Sequence, residues 1–222
     1  MVNDHVTITK GNKKTRIKSF NLLEGKGAYN GALPGKLRGV VCFGTCAHNC
    51  PGCYAKKSTR YDNVFLAYMD NTLNAMADPV GTVAAVERQL YGGRKRAPRY
   101  FRIHDSGDFF SFKYFCAWVD MIARHPETIF YAYTKSNNIV IRYGVDNLPA
   151  NFTILCSPWA GISEPIAGLP QFIYDDGSNA ETAKLPHCPA VDKNGHRTGI
   201  TCKKCGACPK AKRGTQRAVY AH

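Results

Sequence analysis

Strand-like and helix-like segments alternate along the middle of this chain, and this alternation limits the fold more than any other feature. Aromatic and β-branched residues cluster as they do in strands at 99–104, 128–134, 152–156 and 172–174. Helical patterns lie between and before them, at 54–76, 79–91, 112–124 and 136–143. A βαβ series of this kind builds a mostly parallel sheet, so we predict an α/β fold.

The chain divides into three parts by composition. Residues 1–38 are polar and Gly-rich, and we expect an irregular N-terminal arm there. The apolar run Gly39–Phe43 is the expected first strand of an α/β core that spans 39–184. Residues 185–222 lack the alternation and are dominated by Cys, Lys and Gly, which predicts a small Cys-rich, metal-binding appendage.

The loops that follow the predicted strands are the places to look for a site. In parallel α/β sheets, ligands bind beyond the carboxyl ends of the strands. The corresponding stretches here are a Cys-rich loop after 39–43, HDSGDFFS after 99–103, TKSNN after 128–133 and SPWAG after 152–156. Each is polar or carries metal-binding side chains, so we expect them to share one rim of the sheet.

Four cysteines fall in that first loop, at Cys42, Cys46, Cys50 and Cys53. Thiolates spaced as Cys46-x-x-x-Cys50-x-x-Cys53 can converge on an iron–sulfur cluster. Zinc is the competitor, but structural zinc sites usually pair two CxxC turns from separate strands, whereas this loop has only one. If Cys42 binds the fourth iron, the cluster is closed; if not, one iron stays open for chemistry.

The surroundings expected for these thiols favour metal over disulfides. No apolar run reaches the roughly 20 residues that span a bilayer, and the N-terminus lacks an apolar signal core. We therefore expect a cytoplasmic protein with no membrane partner. In that reducing compartment, clustered cysteines more often bind metals than form disulfides.

A second group of cysteines lies near the C-terminus. Cys202, Cys205 and Cys208 have ferredoxin-like CxxCxxC spacing with a trailing proline, and Cys188 can supply a fourth ligand. We predict a second 4Fe–4S cluster here, with zinc as the alternative. The two remaining cysteines, Cys116 and Cys156, stand alone in apolar contexts and are read as ordinary buried thiols.

Three ionisable residues crowd the end of the strand at 99–103. His104 beside Asp105 and Asp108 can act as a general base, a metal ligand or a structural pair. Asp105 has the alternative role of capping the following helix. Asp108 follows Ser106 and Gly107, and we expect it to serve a functional role.

The charge of the chain points to a polyanionic partner. The formal net charge is +14, and basic residues without any acid fill three runs, at 10–18, 94–102 and 203–217. Such runs attract the phosphates of nucleic acid, although they can also be solvated faces with no partner.

The loop sequence CAHNCPGCYAKKST resembles the cysteine loop of the radical S-adenosylmethionine superfamily, in particular that of the activating enzymes of anaerobic ribonucleotide reductases. The resemblance implies a partial (β/α) barrel, a 4Fe–4S cluster on Cys46, Cys50 and Cys53, S-adenosylmethionine on the open iron, and an electron donor as partner. Ser106, Gly107 and Asp108 stand where that superfamily carries a Gly-Gly-Glu motif, which contacts the methionine amino group.

Across the whole chain, from CPGCYA through HDSGDF and YTKS to the final cysteines, the sequence also resembles the phage gene product 88 family. This second resemblance implies organisation rather than chemistry. Two functions therefore remain open: a radical enzyme acting on an unknown substrate, for which nucleic acid is one candidate, or a protein with closed iron–sulfur or zinc centres that binds nucleic acid.

Overall fold

A computed structural model describes residues 6–28, 43–93, 96–159 and 162–220. The strands are β1 Ile8–Thr9, β2 Lys18–Phe20, β3 Lys26–Ala28, β4 Phe43–Thr45, β5 Tyr100–Ile103, β6 Ile129–Thr134, β7 Phe152–Cys156, β8 Gln171–Asp175 and β9 Gln216–Tyr220. The helices are α1 Lys56–Thr59, α2 Asp62–Ala77, α3 Pro79–Tyr91, α4 Phe112–Ala123, α5 Asn137–Tyr143, α6 Ala180–Ala183 and α7 Cys202–Cys205, with a 3-10 helix at Val145–Asn147.

The main sheet has seven strands in the order β1-β2-β5-β6-β7-β8-β9. Every neighbouring pair from β2 to β9 is parallel, and only β1 pairs antiparallel, with β2. The mixed α/β fold with a mostly parallel sheet is therefore confirmed. Strands β3 and β4 form a separate antiparallel pair.

Different parts of the chain pack against the two faces of the sheet. One face presents Phe101, Phe130 and Ile154 to the largest hydrophobic core, where α3 and α4 contribute Val86 and Trp118. The other face presents Tyr100, Tyr131 and Leu155, and packs against Cys202, Cys208 and Ala211 of the C-terminal segment. Alternation along each strand produces this division, because successive side chains point to opposite faces.

Helix boundaries follow local sequence signals. Asp78 accepts a hydrogen bond from the Gly81 amide and Pro79 occupies the first turn, so α3 begins there. Ser111 caps α4 by accepting from the Tyr114 amide. The helix predicted over 54–76 is instead two helices, α1 and α2, separated at Arg60 and Tyr61.

Three expectations about organisation differ from the structure. The expected arm is not irregular over residues 6–28, because β1 and β2 belong to the main sheet. Of the expected strand Gly39–Phe43, residues 39–42 lie outside the described ranges, and Phe43 begins β4, which pairs with β3. The C-terminal region is not a separate appendage, because β9 pairs in parallel with β8 along five residues of the main sheet.

Among the described helices, none is long and apolar enough to cross a lipid bilayer.

Candidate functional site

The start of the cysteine loop is fixed to the segment that follows β2. The Thr45 amide donates to the Leu23 carbonyl (3.0 Å), and the Cys46 amide donates to the Gly25 carbonyl (2.8 Å). Gly44 permits this contact, because a Cβ there would lie 2.3 Å from the Glu24 carbonyl oxygen. The loop is thereby anchored at the carboxyl end of a parallel strand, as expected for a site in this class of fold.

Cys46, Cys50 and Cys53 lie close enough at this rim for the charges of Cys50 and Cys53 to affect the pKa of Cys46. The pKa of the Cys46 thiol is raised above its ordinary value by burial first, then by the negative charge of Asp108, with Cys53 and Cys50 adding to it. Burial also raises the pKa of Cys50, while the positive charge of Lys135 acts in the opposite direction. The structure therefore brings together three of the predicted ligands and Asp108.

Asp108 is buried, with 4% of its surface exposed, and its carboxylate is held by protein groups. Its Oδ1 accepts from the Phe109 amide and the Thr134 hydroxyl, both at 2.7 Å, and its Oδ2 accepts from the Lys135 amide at 2.8 Å. Burial raises the pKa of Asp108, and these hydrogen bonds act against that rise. The carboxylate thus ties the loop after β5 to the end of β6.

Ser106 and Gly107 also contact other parts of the protein. The Ser106 hydroxyl lies 3.4 Å from Glu24 Oε2, and Glu24 Oε1 accepts from the Thr59 hydroxyl at 2.7 Å. Gly107 has φ +84°, and a Cβ there would lie 2.6 Å from Thr45 Oγ1 and 2.7 Å from Leu22 Cβ. Glycine is therefore required at position 107 because the backbone there packs closely against Thr45 and Leu22.

Glu24 is a buried carboxylate, 1% exposed, that sequence reasoning missed. It follows β2, and β2 itself lies in the segment that was expected to be irregular. A carboxylate directly after an apolar stretch, FNLLEG, was the available signal. Through Ser106 and Thr59 it joins the loop after β5 to helix α1, which follows the last loop cysteine.

His104 does not face the cysteines as a general base. It is 2% exposed and packs against Phe109 and Trp118 in the large core, with its Nε2 3.0 Å from the Tyr114 hydroxyl. Burial lowers the pKa of His104 to about 3, and the Arg102 charge contributes to this shift. The imidazole is therefore neutral near neutral pH.

Asp105 does not cap the next helix, because Ser111 does. Instead Asp105 pairs with the Arg102 guanidinium at 2.7 Å, and Arg102 also donates to the Tyr54 hydroxyl at 3.0 Å. Tyr54 directly follows Cys53 and donates to the Asp105 carbonyl at 2.8 Å. This network fixes the far end of the cysteine loop.

The four C-terminal cysteines line one small cavity of about 20 Å³. Cys202 and Cys205 lie on α7, which ends at Gly206 in the left-handed conformation with φ 62°. Tyr131 and Tyr133 of β6 form part of the cavity wall, and the Arg102 guanidinium lies 4.6 Å from the Tyr133 ring centroid. Burial raises the pKa of Cys208 to about 11.

Thiols suit iron and zinc in chemical type, but neither group is a preformed cage. Within the described ranges, no three or more His, Cys, Asp and Glu side chains are already arranged to hold a metal ion. Cys42 lies outside those ranges. Metal binding at either group would require the side chains to draw together. The nine described cysteines are all free thiols, with Cys156 buried and Cys116 half-buried.

Two of the basic runs are joined in the fold. The Cys202 amide donates to the Lys14 carbonyl (2.9 Å) and the Lys203 amide donates to the Thr15 carbonyl (3.1 Å), so runs 10–18 and 203–217 are contiguous. In run 94–102, positions 94 and 95 lie outside the described ranges, Arg96 and Arg99 are exposed, and Arg102 is buried.

Comparison with known proteins gives a consistent match over nearly the whole chain. The family model described as "Gene product 88" matches residues 6–211. The "Gene 88 protein" of Mycobacterium phage L5 is 26% identical over 239 residues, covering 96% of this chain and 92% of the relative. That of Mycobacterium phage D29 is 25% identical over 226 residues, covering 93% and 90%. No solved structure matches significantly, and the resemblance to the radical S-adenosylmethionine superfamily is not supported by these comparisons.

Proposed function

The chain belongs to the gene product 88 family, and we propose that it is an iron–sulfur protein of radical S-adenosylmethionine type. In this proposal Cys46, Cys50 and Cys53 hold a 4Fe–4S cluster with one open iron. The names of the phage relatives state no activity, so the proposal rests on the loop itself.

The observation that carries the proposal is that Cys46 of the CxxxCxxC loop is buried within reach of the charges of Cys50, Cys53 and Asp108. Burial and the Asp108 charge both raise the pKa of Cys46, so the site disfavours free thiolates. Bound iron would remove this penalty, because metal ligation stabilises the deprotonated thiol. The donors therefore fit a thiophilic metal by chemistry.

The other residues at this rim would bind the ligand and balance the charge of the cluster. A bound cluster would supply the electron for reductive cleavage of S-adenosylmethionine, given an external electron donor. Asp108, whose oxygens accept from Phe109, Thr134 and Lys135, would attract the ammonium group of the ligand by its charge, and Ser106 and Gly107 would hold the loop that positions it. Lys135 would balance the charge near Cys50, whose pKa its positive charge acts to lower.

The fold is compatible with this type of enzyme. A parallel sheet with the cysteine loop at the carboxyl ends of its strands is the arrangement expected for a partial (β/α) barrel. In this proposal the second face of the sheet, covered by the C-terminal segment, corresponds to the inside of that barrel.

The test is anaerobic purification followed by iron, sulfide and zinc analysis. Wild type should contain about four iron per chain at the loop, and its reduced electron paramagnetic resonance signal should change when S-adenosylmethionine is added. Serine at Cys46, Cys50 and Cys53 together should abolish the part of that signal that responds to S-adenosylmethionine, whereas Cys116→Ser is the matched control and should retain it. Protein that carries only zinc, or a signal unaffected by saturating ligand, would contradict the radical proposal.

A second iron–sulfur cluster at Cys188, Cys202, Cys205 and Cys208, with zinc as the alternative, completes the proposal. The common cavity supports a shared metal site. Serine replacement at Cys202 and Cys205 should lower the metal content of the protein without changing the loop signal, which the same analysis measures.

The second candidate function is binding of nucleic acid by a protein with closed centres. The observation that favours it is the junction of runs 10–18 and 203–217 into one basic surface. Binding of a duplex or single strand should weaken steeply with salt, because neutralised phosphates release counterions. Charge reversal at Lys13, Lys203 and Lys204 should weaken it further, whereas Lys113→Glu on α4 should not. Absence of binding at low salt would contradict this function.

A further inference from the structure

We propose that Lys135, Trp159 and Tyr174 form a corner that binds a nucleobase within single-stranded nucleic acid, directly beside the cysteine loop. These residues follow or end β6, β7 and β8, so they belong to the same rim as the thiols. The inference deepens the proposed function, on which it rests for placing the chemistry next to the base, by naming the substrate class.

The corner is built on two stacked aromatic rings. The centroids of Trp159 and Tyr174 are 4.8 Å apart with an interplanar angle of 26°. Both side chains are half-buried, so part of each remains accessible to a ligand. Offset stacks of this kind accept a further planar ring, and base–aromatic stacking is tolerant of base identity.

Gly52 places this pair against the turn between Cys50 and Cys53. A Cβ added at Gly52 would lie 3.4 Å from Cη2 of Trp159 and 3.7 Å from the Tyr174 hydroxyl oxygen. The indole edge therefore lies next to the cysteine loop. A ring stacked on this pair would sit next to the proposed cluster site.

Lys135 supplies the positive charge for an adjoining phosphate. Its Nζ lies 3.1 Å from the Ser157 hydroxyl oxygen and 5.8 Å from the Trp159 ring centroid. No carboxylate in the described part of the chain forms an ion pair with this ammonium group. A cation beside an aromatic stack fits a ligand that carries both a planar ring and an anionic group. A neutral sugar carries neither.

The segment after the cysteines extends the same chemistry along the surface. Tyr54 and Tyr61 are 48% and 54% exposed, and the Arg60 guanidinium lies 5.0 Å from the Tyr61 ring centroid. Lys56 and Lys57 are exposed on α1, and the chain carries no acidic residue from position 46 to 61. Exposed aromatics interleaved with cations are typical of single-strand binding surfaces, where bases stack and the backbone is neutralised.

Tryptophan fluorescence offers a direct test, because the chain has two tryptophans and Trp118 is fully buried in the core. A short oligothymidylate should quench the emission of the full-length protein, and the quenching should vanish in Trp159→Phe. Anisotropy of a labelled oligomer should show that Trp159→Phe binds nearly as well as wild type, while Trp159→Leu binds about tenfold or more weakly. Circular dichroism checks that each variant is folded.

Three probes separate the sources of binding. An abasic oligomer of the same length should bind much more weakly than oligothymidylate; equal binding would mean charge alone and overturn the proposal. Thymidine monophosphate should also bind more weakly, and affinity equal to that of the oligomer would overturn the assignment to a strand. Lys135→Met should reduce the slope of log affinity against log salt by about one, while Lys113→Met leaves it unchanged.

The experiment is repeated with serine at Cys46, Cys50 and Cys53. Stacking should persist in this variant, since Trp159 lies in the segment after β7 and Tyr174 lies in β8. Loss of the base-specific quenching in cluster-containing wild type would refute only the nucleobase corner. Base-specific quenching in wild-type protein that does not bind iron would refute only the proposed cluster function.

Discussion

At the scale of single residues, His104 shows how a polar side chain beside a candidate site can belong to the core. It has φ 62°, a conformation that Asn tolerates, and its Nδ1 has no hydrogen-bond partner within the described structure. Because its neighbours are Phe109, Tyr114 and Trp118, only the neutral imidazole is compatible with the packing.

This burial predicts acid sensitivity. The folded pKa of His104 lies at about 3, below its ordinary value of 6.5. Its contribution to stability is therefore complete above pH 6.5 and is lost as pH falls towards 3. Between pH 6.5 and 5, wild type should lose about 2 kcal/mol more than His104→Asn in urea unfolding. Exposed His196→Gln should behave like wild type, and equal losses in His104→Asn and wild type would contradict the burial argument.

Asp108 predicts a second residue-scale effect. Asn in its place keeps one acceptor oxygen but directs an amide donor at the Thr134 hydroxyl or at the Lys135 amide. Asp108→Asn should lower the free energy of unfolding by about 1–3 kcal/mol, measured by urea denaturation of metal-free protein. Asp120→Asn, at an exposed position of α4, is the control and should change it little. An unaffected Asp108→Asn would show that these bonds are not important for stability.

At the scale of elements, what could be predicted followed the strength of the local signal. Strands β5, β6 and β7 and helices α3, α4 and α5 have long aromatic, branched or helical patterns, and sequence reasoning found them within a residue or two. Strands β1 and β2 are two and three residues long with polar residues in them, so no period could reveal them.

The candidate site shows the same limit. Spacing alone grouped Cys46, Cys50 and Cys53, and the parallel-sheet rule brought Asp108 to their rim. The partners that occupy Asp108, Ser106 and Gly107 could not be read from the sequence, because they come from β6 and from the segment after the undetected β2.

Strand β9 carries the element-scale prediction. Ala218 is fully buried in β9, between the β8 pairing and the Cys188 amide that donates to its carbonyl. Ala218→Glu should cost more than about 3 kcal/mol, or prevent folding, because it buries an unpaired charge. Gln216→Glu puts the same side chain at an exposed position of the same strand and should cost little. Similar thermal unfolding of the two variants would mean that β9 is a removable appendage after all.

At the scale of the whole molecule, one sheet contains strands from both ends of the described chain, β1 and β9. Unfolding should therefore be a single cooperative transition. Far-ultraviolet circular dichroism and the fluorescence of buried Trp118 should give coincident curves in urea. The comparison is made on metal-free protein, because a bound metal can stabilise one region separately. Two separated transitions would show that the C-terminal region folds independently.

The order of strands in the sheet also follows the order in which the chain is synthesised. Apart from β3 and β4, which form their own pair, the strands from β2 to β9 lie side by side in the order in which a ribosome releases them. Each strand of this series can therefore pair with the strand made before it, and the tyrosines of β6 are synthesised before Cys188, Cys202, Cys205 and Cys208. Part of the wall of the C-terminal cavity is thus synthesised before the cysteines that complete it. A metal held by all four of these cysteines could bind only after strands β1 to β8 have been synthesised.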